Sequence, residues 1–207
     1  MPVVSDDYKK NKKALILKSA FECFAEKGFQ VATMEDIVKH SNISKGAIYN
    51  YFSSKDEIYI ELMNQRTSES INKLKDELGR FTTSHEKLEH LFNTYSDVNK
   101  TSDYVNMTKV HIEFWLYSTR KDELRTIMIS RFNMYKDLFK TIIDEGIKNG
   151  EFSKKTNSEE LSLIFWGVMD GSSLHHAMLL ELFPFHNVIT ELKQIIYSKL
   201  HENGQDY

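Results

Sequence analysis

The scarcity of glycine and proline constrains this chain of 207 residues more than any other feature of its sequence. It holds eight glycines and two prolines, together about 5% of the residues, where average usage is about 12%. Turns between short strands depend on these residue types, so a β-sandwich or a β-barrel is disfavoured. With 41% hydrophobic residues the chain is also too apolar to be disordered. We therefore expect an all-α fold.

Periodicity and capping residues predict about nine helices. Thr33 with Asp36 and Ser54 with Glu57 have the form of capping boxes. A glycine-containing segment, 146–150, should end the seventh helix, and Pro184 should precede the last. The expected spans are about 10–27, a short helix between 33 and 41, then 45–51, 55–78, 85–98, 103–118, 121–145, 157–181 and from 185 to about 201.

Charge is unevenly distributed along the chain. Residues 1–55 hold nine Lys and Arg against six Asp and Glu, whereas residues 56–207 hold 18 against 24. A basic N-terminal part on an acidic body indicates that only the N-terminal part meets a polyanion. The single cysteine, Cys23, excludes an internal disulfide and is expected in the core of the first helix. A polar start and the lack of a long apolar run predict a cytoplasmic protein.

The first three predicted helices form a helix-turn-helix pattern, in which the third helix reads DNA. Its first turn is small or cationic, so backbone N–H groups could approach a groove and its phosphates closely. These residues are Ser44, Lys45, Gly46 and Ala47. Its end carries hydroxyls and an amide that suit phosphates or base edges. These are Tyr49, Asn50 and Tyr51, with Lys55 opening the next helix.

Residues 33–38 (TMEDIV) and 44–57 (SKGAIYNYFSSKDE) resemble the signature of the TetR family of transcription regulators. The resemblance covers about residues 10–66 and is loose beyond them. It implies an all-α homodimer with a DNA-binding domain at 8–66 and a ligand-binding and dimerisation domain at 67–207. Asn42 stands where the family usually has Gly, and Asn tolerates the left-handed conformation of such a turn. Asn50 replaces a commoner His, which bears on the operator sequence.

The resemblance also implies roles for individual residues. Positions that touch phosphates in the family are matched by Thr33, Lys45, Tyr49, Tyr51 and Lys55. Positions at or near base edges are matched by Ser44, Gly46, Ala47 and Asn50. The implied function is a ligand-responsive regulator of double-stranded DNA, most often a repressor that leaves a palindromic operator when a small effector binds.

The larger C-terminal part is rich in aromatic residues at helical spacing. Each ring alone is best interpreted as core, but together they can enclose an apolar cavity. The candidates are Phe92, Tyr95, Phe114, Trp115, Phe132, Tyr135 and Trp166. Because they offer rings and few charges, we expect a largely apolar effector. The last two long helices should form a four-helix bundle with a second copy. The candidates there are Leu161, Ile164, Phe165, Val168, Gly171, Ser172, Leu192, Ile195 and Ile196.

No catalytic, cofactor or metal arrangement stands out in the sequence. It has no G-x-S-x-G motif, Walker A loop or Gly-rich dinucleotide turn. His85 and His90 are five residues apart and cannot share a metal on one helix face, so a solvated polar face is expected there. His175 and His176 should point to different faces. The alternative to a regulator is a helical ligand-binding or protein-interaction module that has lost DNA binding, against which the basic N-terminal part and residues 44–55 argue.

Overall fold

The computed structural model describes residues 6–96 and 102–201, which fold into nine α-helices and one 3₁₀ turn without a strand in those ranges. The elements are α1 (Asp6–Lys27), α2 (Met34–Ser41), α3 (Lys45–Tyr49), α4 (Lys55–Leu78), α5 (Ser84–Ser96), α6 (Ser102–Ser118), α7 (Asp122–Lys148), α8 (Ser158–Leu179), the 3₁₀ turn (Leu180–Leu182) and α9 (Phe185–Leu200). The expected all-α fold is confirmed. The expected end of the fifth helix at 98 lies outside the described residues.

Several helix boundaries differ from expectation, and α8 ends at Leu179 instead of at 181. α1 begins at Asp6 rather than near residue 10, with two carboxylates in its first turn that favour the positive end of the helix dipole. α3 ends at Tyr49 because the Tyr51 N–H bonds to Ile48 O, three residues back, and so tightens the last turn. α7 continues through Gly146 and ends at Lys148.

Gly146 continues the helix because it serves close packing rather than termination. A Cβ at this position would overlap the ring of Phe152 and would lie 2.9 Å from Ser84 Cβ. The chain reverses four residues later, where Gly150 takes φ +79. This left-handed conformation favours glycine.

The capping residues behave largely as expected. Thr33 Oγ1 accepts from the Asp36 N–H at 3.1 Å, and the Asp36 carboxylate accepts from the Thr33 N–H at 3.0 Å, so this capping box is confirmed. Ser54 Oγ accepts from the Glu57 N–H at 3.2 Å. The Glu57 carboxylate, however, accepts from the Ser53 N–H and hydroxyl instead of from Ser54.

Two hydrophobic cores organise the chain, and α4 contributes to both. The first core joins α1–α4 to α6 and the start of α7, with Phe29 at its centre. The Phe29 ring lies 4.9 Å from the ring of Phe114 on α6 and 5.4 Å from the ring of Tyr59 on α4. Cys23 is buried there, as expected. The second core joins the end of α4 to α5, α7, α8 and α9, so the N-terminal helices pack directly on the body.

Five of the nine residues expected at a dimer interface lie inside the chain instead. They are Leu161, Phe165, Ser172, Leu192 and Ile196, all buried within one copy. Helical periodicity located an apolar stripe but did not separate its inner from its outer edge, because α8 is apolar on more than one face. The outer edge of α8 exposes Leu163, Ile164, Leu174 and Met178, and α9 exposes Ile195.

Among the described residues, no helix has both the length and the apolar character needed to cross a membrane.

Candidate nucleic-acid interface and ligand cavity

The turn between α2 and α3 fixes the orientation of the candidate reading helix. Asn42 adopts φ 55 and ψ 24, the left-handed conformation that the sequence requires of this residue. Ser41 Oγ accepts from the Ile43 N–H at 3.2 Å. Ile37, Ile43 and Ile48 are buried beneath the turn and pack α2 and α3 onto α1. The opposite surface of α3 is therefore directed to solvent.

Most residues predicted to contact DNA are exposed on this surface. Thr33 and Ser44 are N-cap residues, and the Cβ position of Gly46 has no atom within 4 Å. A phosphate or a base edge can therefore reach the first turn of α3 without steric conflict. The exposed residues are Thr33, Ser44, Lys45, Gly46, Tyr49 and Asn50, and Ala47 and Tyr51 are half-buried beside them.

Lys45 is held on this surface by a weak pair. Its ammonium lies 2.8 Å from a Glu35 carboxylate oxygen and 5.6 Å from the centroid of the Tyr49 ring. The hydrogen bond to Lys45 lowers the pKa of Glu35, and the same bond raises the pKa of Lys45. Both side chains are mostly exposed, so the pair adds little stability. A DNA phosphate could take the place of Glu35.

Lys55 does not extend toward solvent, as it would have to do in order to make the expected contact with a DNA phosphate. Its ammonium donates to three backbone carbonyls, of Phe29, Gln30 and Ala32, each at 2.8 Å. Burial lowers its pKa. An ammonium has three N–H donors, and all three are used here. Lys55 therefore closes the turn between α1 and α2, which corrects its expected role at DNA.

A groove beside α3 brings in residues that sequence reasoning missed. It has a volume of about 370 Å³ and is lined by Tyr8, Lys9, Lys12, Ala47, Asn50 and Tyr51. Lys9 and Lys12 have no ion-pair partner within the described part of the chain. The basic cluster at the start of α1 was the available signal. The groove extends the positive surface of α3 along α1.

A cavity of about 320 Å³ lies between α6, α7 and α8. Four of the seven aromatic residues expected around an effector line it, namely Trp115, Phe132, Tyr135 and Trp166. Phe92 and Phe114 lie in the two packed cores instead. Tyr95 lies behind the wall, with its ring 5.5 Å from the ring of Trp166.

Charged side chains also line the cavity, contrary to the expectation of few charges. They are Arg125, Arg131 and Asp170, and they are accompanied by His111. Burial, its only cause, raises the pKa of Asp170 to about 6. Burial, reinforced by the nearby Arg131 guanidinium, lowers the pKa of His111 to about 4, so this imidazole is neutral at pH 7.

Two polar residues of the cavity wall are hydrogen-bonded to α4. His111 Nδ1 lies 3.0 Å from the hydroxyl of Tyr59. The Arg131 guanidinium donates to Thr67 Oγ1 through Nε at 3.1 Å and Nη2 at 2.9 Å. Since α4 begins beside α3 at the candidate DNA surface, these bonds connect the cavity wall to that surface.

The histidines form no metal site in residues 6–96 and 102–201, where no three His, Cys, Asp or Glu side chains are placed to hold a metal. His90 Nε2 lies 2.9 Å from a Glu77 carboxylate oxygen. His175 is exposed and stacks on Phe183, whereas His176 is buried with neither ring nitrogen hydrogen-bonded.

An exposed reading helix on a helix-turn-helix unit, joined by one long helix to a body with a cavity, defines a class of ligand-binding DNA-recognition proteins. Two family models that match the chain describe proteins of this class. Residues 16–62 match the family model described as bacterial regulatory proteins of the tetR family, and residues 87–182 match a tetracyclin repressor-like C-terminal domain. The chain belongs to the TetR family of bacterial transcriptional regulators. It is a DNA-binding transcriptional regulator and not an enzyme.

Individual relatives lead to the same family. The HTH-type transcriptional regulator QacR of Staphylococcus aureus is 31% identical over 143 residues, which are 69% of this chain and 74% of QacR. The uncharacterized HTH-type transcriptional regulator YfiR of Bacillus subtilis is 27% identical over 173 residues, 82% of each chain.

Solved structures share the fold at lower identity. FadR of Bacillus subtilis in complex with stearoyl-CoA has a TM-score of 0.76 at 21% identity, covering 91% of this chain and 99% of FadR. A transcriptional regulator of Saccharomonospora viridis in complex with choline has a TM-score of 0.79 at 18% identity, covering 94% of this chain and all of that one.

Proposed function

We propose that this chain is a homodimeric repressor that binds a palindromic operator and releases it when a small, largely apolar effector occupies the cavity between α6, α7 and α8. The observation that carries the proposal is the pair of hydrogen bonds from the cavity wall to α4, through His111 and Arg131. A ligand that displaces either side chain acts directly on the helix that begins at the DNA surface.

The proposed domains meet within α4. Residues 8–66 form the DNA-binding domain and residues 67–207 the ligand-binding and dimerisation domain, of which 97–101 and 202–207 lie outside the described residues. α4 spans 24 residues, about 36 Å at 1.5 Å per residue. A rigid element of this length converts a small tilt at the cavity into a displacement at α3.

The proposed DNA contacts combine the predicted residues with the α1 groove. Phosphates contact Thr33, Lys45, Tyr49 and Tyr51, and base edges contact Ser44, Gly46, Ala47 and Asn50. Lys9 and Lys12 add phosphate contacts, supported by their position in the groove beside Asn50. Lys55 is left out of the interface because its ammonium is occupied by three carbonyls.

The proposed dimer uses the outer edge of α8 and α9. Ile164 and Ile195 are about half exposed, and Leu182 between them is 85% exposed. Gly167 and Gly171 have nothing within 4 Å of their Cβ positions, so a second helix can approach α8 closely. Val168 is half-buried at the same edge. Four such helices from two copies would cover this apolar surface.

The proposed switch follows from the spacing of the two reading helices. In a two-fold dimer they must lie about 34–36 Å apart to enter successive major grooves. An effector releases DNA only if it binds the respaced conformation more tightly than the DNA-bound one. A dimer on a promoter blocks transcription by occupancy, which favours repression. Such a protein acts in the bacterial cytoplasm and on the nucleoid.

A mobility-shift assay tests the proposed DNA recognition. The DNA is the region upstream of the protein's own gene, with excess random DNA as competitor. We expect a shift of the upstream fragment alone, and we expect Asn50→Ala to reduce the preference by about 1–3 kcal/mol. Lack of a shift at any salt concentration would instead favour the alternative, a ligand-binding or interaction module without specific DNA binding.

A further inference from the structure

We propose that the effector of this cavity carries a cationic nitrogen, an ammonium on an aromatic or aliphatic body, and that Asp170 is its specificity-determining residue. The inference rests on the proposed function, since it names the chemical class of ligand for the same cavity. It replaces a purely apolar effector by an apolar cation.

Asp170 differs from the other charged groups that line the cavity in having no partner, although the Trp166 indole N–H is also without one. Arg131 is bonded to Thr67, and Arg125 pairs with Asp122 at 3.0 Å. The Ser118 and Thr119 hydroxyls donate to backbone carbonyls of α6. Within the described chain, no hydrogen-bond donor or cation contacts the Asp170 carboxylate. A largely buried carboxylate without a partner costs free energy, so the cavity is incomplete without a positive group.

The aromatic rings beside Asp170 also favour a positively charged group. Trp166 lies one helical turn before Asp170 on α8, and its ring lies 5.3 Å from the ring of Tyr135. Phe132 and Trp115 complete the aromatic wall. The faces of aromatic rings attract cations, and tryptophan attracts them most strongly. A carboxylate and several rings in one cavity therefore favour an organic ammonium over a neutral ligand of the same shape.

Competing ligand classes fit the wall less well. A metal ion needs several oxygen or nitrogen ligands, and Asp170 is a single carboxylate in a part of the chain with no metal-binding cluster. An anion would meet Arg131 with its guanidinium already bonded to Thr67, or Arg125, whose side chain is 57% exposed and whose charge is therefore largely screened by water. The volume of about 320 Å³ is at the lower end of the range for small-molecule sites, roughly 300–1,000 Å³.

Fluorescence titration of the full chain tests this class of ligand. The chain has two tryptophans, Trp115 and Trp166, and both line the cavity. The probes are phenyltrimethylammonium, its neutral isostere tert-butylbenzene and the anion 4-tert-butylbenzoate. Wild-type protein should bind the ammonium roughly tenfold more tightly than the neutral isostere. The anion should bind most weakly.

Two variants assign the effect to one carboxylate. Asp170→Asn keeps the shape of the side chain and removes its charge, so it should weaken ammonium binding about tenfold and leave tert-butylbenzene binding unchanged. Asp76→Asn, at an exposed position of α4, is the matched control and should change neither affinity. Retained binding of the neutral probe shows that the variant cavity is folded.

The outcomes separate this inference from the proposed function. Equal affinity for the ammonium and its neutral isostere, or tighter binding of the anion, overturns the cationic class and leaves the effector cavity in place. Ammonium binding that is unaffected by Asp170→Asn overturns the role of this residue. Lack of quenching by all three probes overturns the cationic class together with the cavity as an aromatic ligand site, while DNA recognition is tested separately by mobility shift.

Discussion

The hydroxyl of Tyr59 lies 3.0 Å from Nδ1 of His111, so a residue of the first hydrophobic core is hydrogen-bonded to a residue of the cavity wall. Tyr59 is fully buried and stacks on Phe114, with ring centroids 3.8 Å apart. Burial raises the pKa of Tyr59 and lowers that of His111, so both groups are neutral at pH 7. Movement of His111 on ligand binding would therefore be transmitted to α4 through one specific bond.

Replacement of Lys55 is predicted to reduce the stability of the fold, whereas replacement of Lys45 is predicted to weaken DNA binding. Lys55→Ala should lower the free energy of unfolding by about 2 kcal/mol, because the variant leaves the three backbone carbonyls without the ammonium that donates to them. Lys45→Ala should leave stability close to wild type, since its pair with Glu35 is exposed. It should instead flatten the slope of log K against log salt for DNA binding by about 0.9.

Chemical denaturation and DNA titration at several salt concentrations measure these two effects. A Lys55→Ala variant as stable as wild type would show that the three carbonyl contacts are dispensable. An unchanged salt slope in Lys45→Ala would remove this residue from the phosphate contacts.

Asp170 is predicted to make stability decrease as pH rises. Its pKa is about 6 in the folded chain, above the value of about 3.9 for an unfolded chain. The folded state therefore binds more protons between these values, and the stabilisation present below pH 4 is lost as pH rises to about 6. Asp170→Asn should raise the free energy of unfolding at pH 7.5 by about 2–3 kcal/mol and have little effect at pH 4.

Denaturation of wild type and Asp170→Asn across this pH range measures the difference directly. Several titratable or charged groups share the surroundings of Asp170, and their contributions are common to both proteins. They are Tyr104 and His111 on α6 and Arg125 and Arg131 on α7. A stability difference that does not change with pH would contradict the raised pKa of Asp170.

Ile164→Glu is predicted to disrupt the dimer without unfolding the chain. Ile164 is 47% exposed on the outer edge of α8 in one copy, so burying a glutamate against a second copy costs free energy. Leu116→Glu is the matched control, because Leu116 is 63% exposed on α6, a helix outside the proposed interface. In sedimentation at micromolar concentration, wild type and the control should have about twice the chain mass of 24.3 kDa.

Ile164→Glu should sediment as a monomer with wild-type helicity. If Leu116→Glu dissociates instead, the interface lies on α6. A wild-type monomer would contradict both the dimer and the palindromic operator.

The local fold of the N-terminal part was predictable because caps and periodicity act over a few residues. Thr33 with Asp36 and Ser44 specify helix starts by bonds to their own neighbours, and Asn42 ends α2 in the left-handed conformation. Gly146 shows the limit of this reasoning. Its proximity to Ser84 and Phe152 depends on how α5 and α7 pack, which no local pattern contains.

The sequence predicted which types of residue form the candidate sites better than it predicted which groups those residues contact. Lys55 is a basic residue at the expected place, but its three carbonyl acceptors lie 23–26 residues away in the chain. Asp170 did not stand out in the sequence, because its burial in the cavity depends on how α7 packs on α8. Aromatic residues were easier to predict, since four of seven line the cavity and the others pack in or beside the cores.

The central claim is that cavity occupancy controls DNA binding through α4, and the affinity for the upstream DNA fragment, measured with and without cavity ligands, tests it most directly. The ligands are compounds that quench Trp115 and Trp166 fluorescence, each used at saturation. At least one of them should weaken DNA binding by about tenfold or more. The effect should be smaller in the double variant Tyr59→Phe, Thr67→Val, which lacks the bonds to His111 and Arg131. Unchanged DNA affinity with every such ligand would show that the cavity does not control DNA binding through α4.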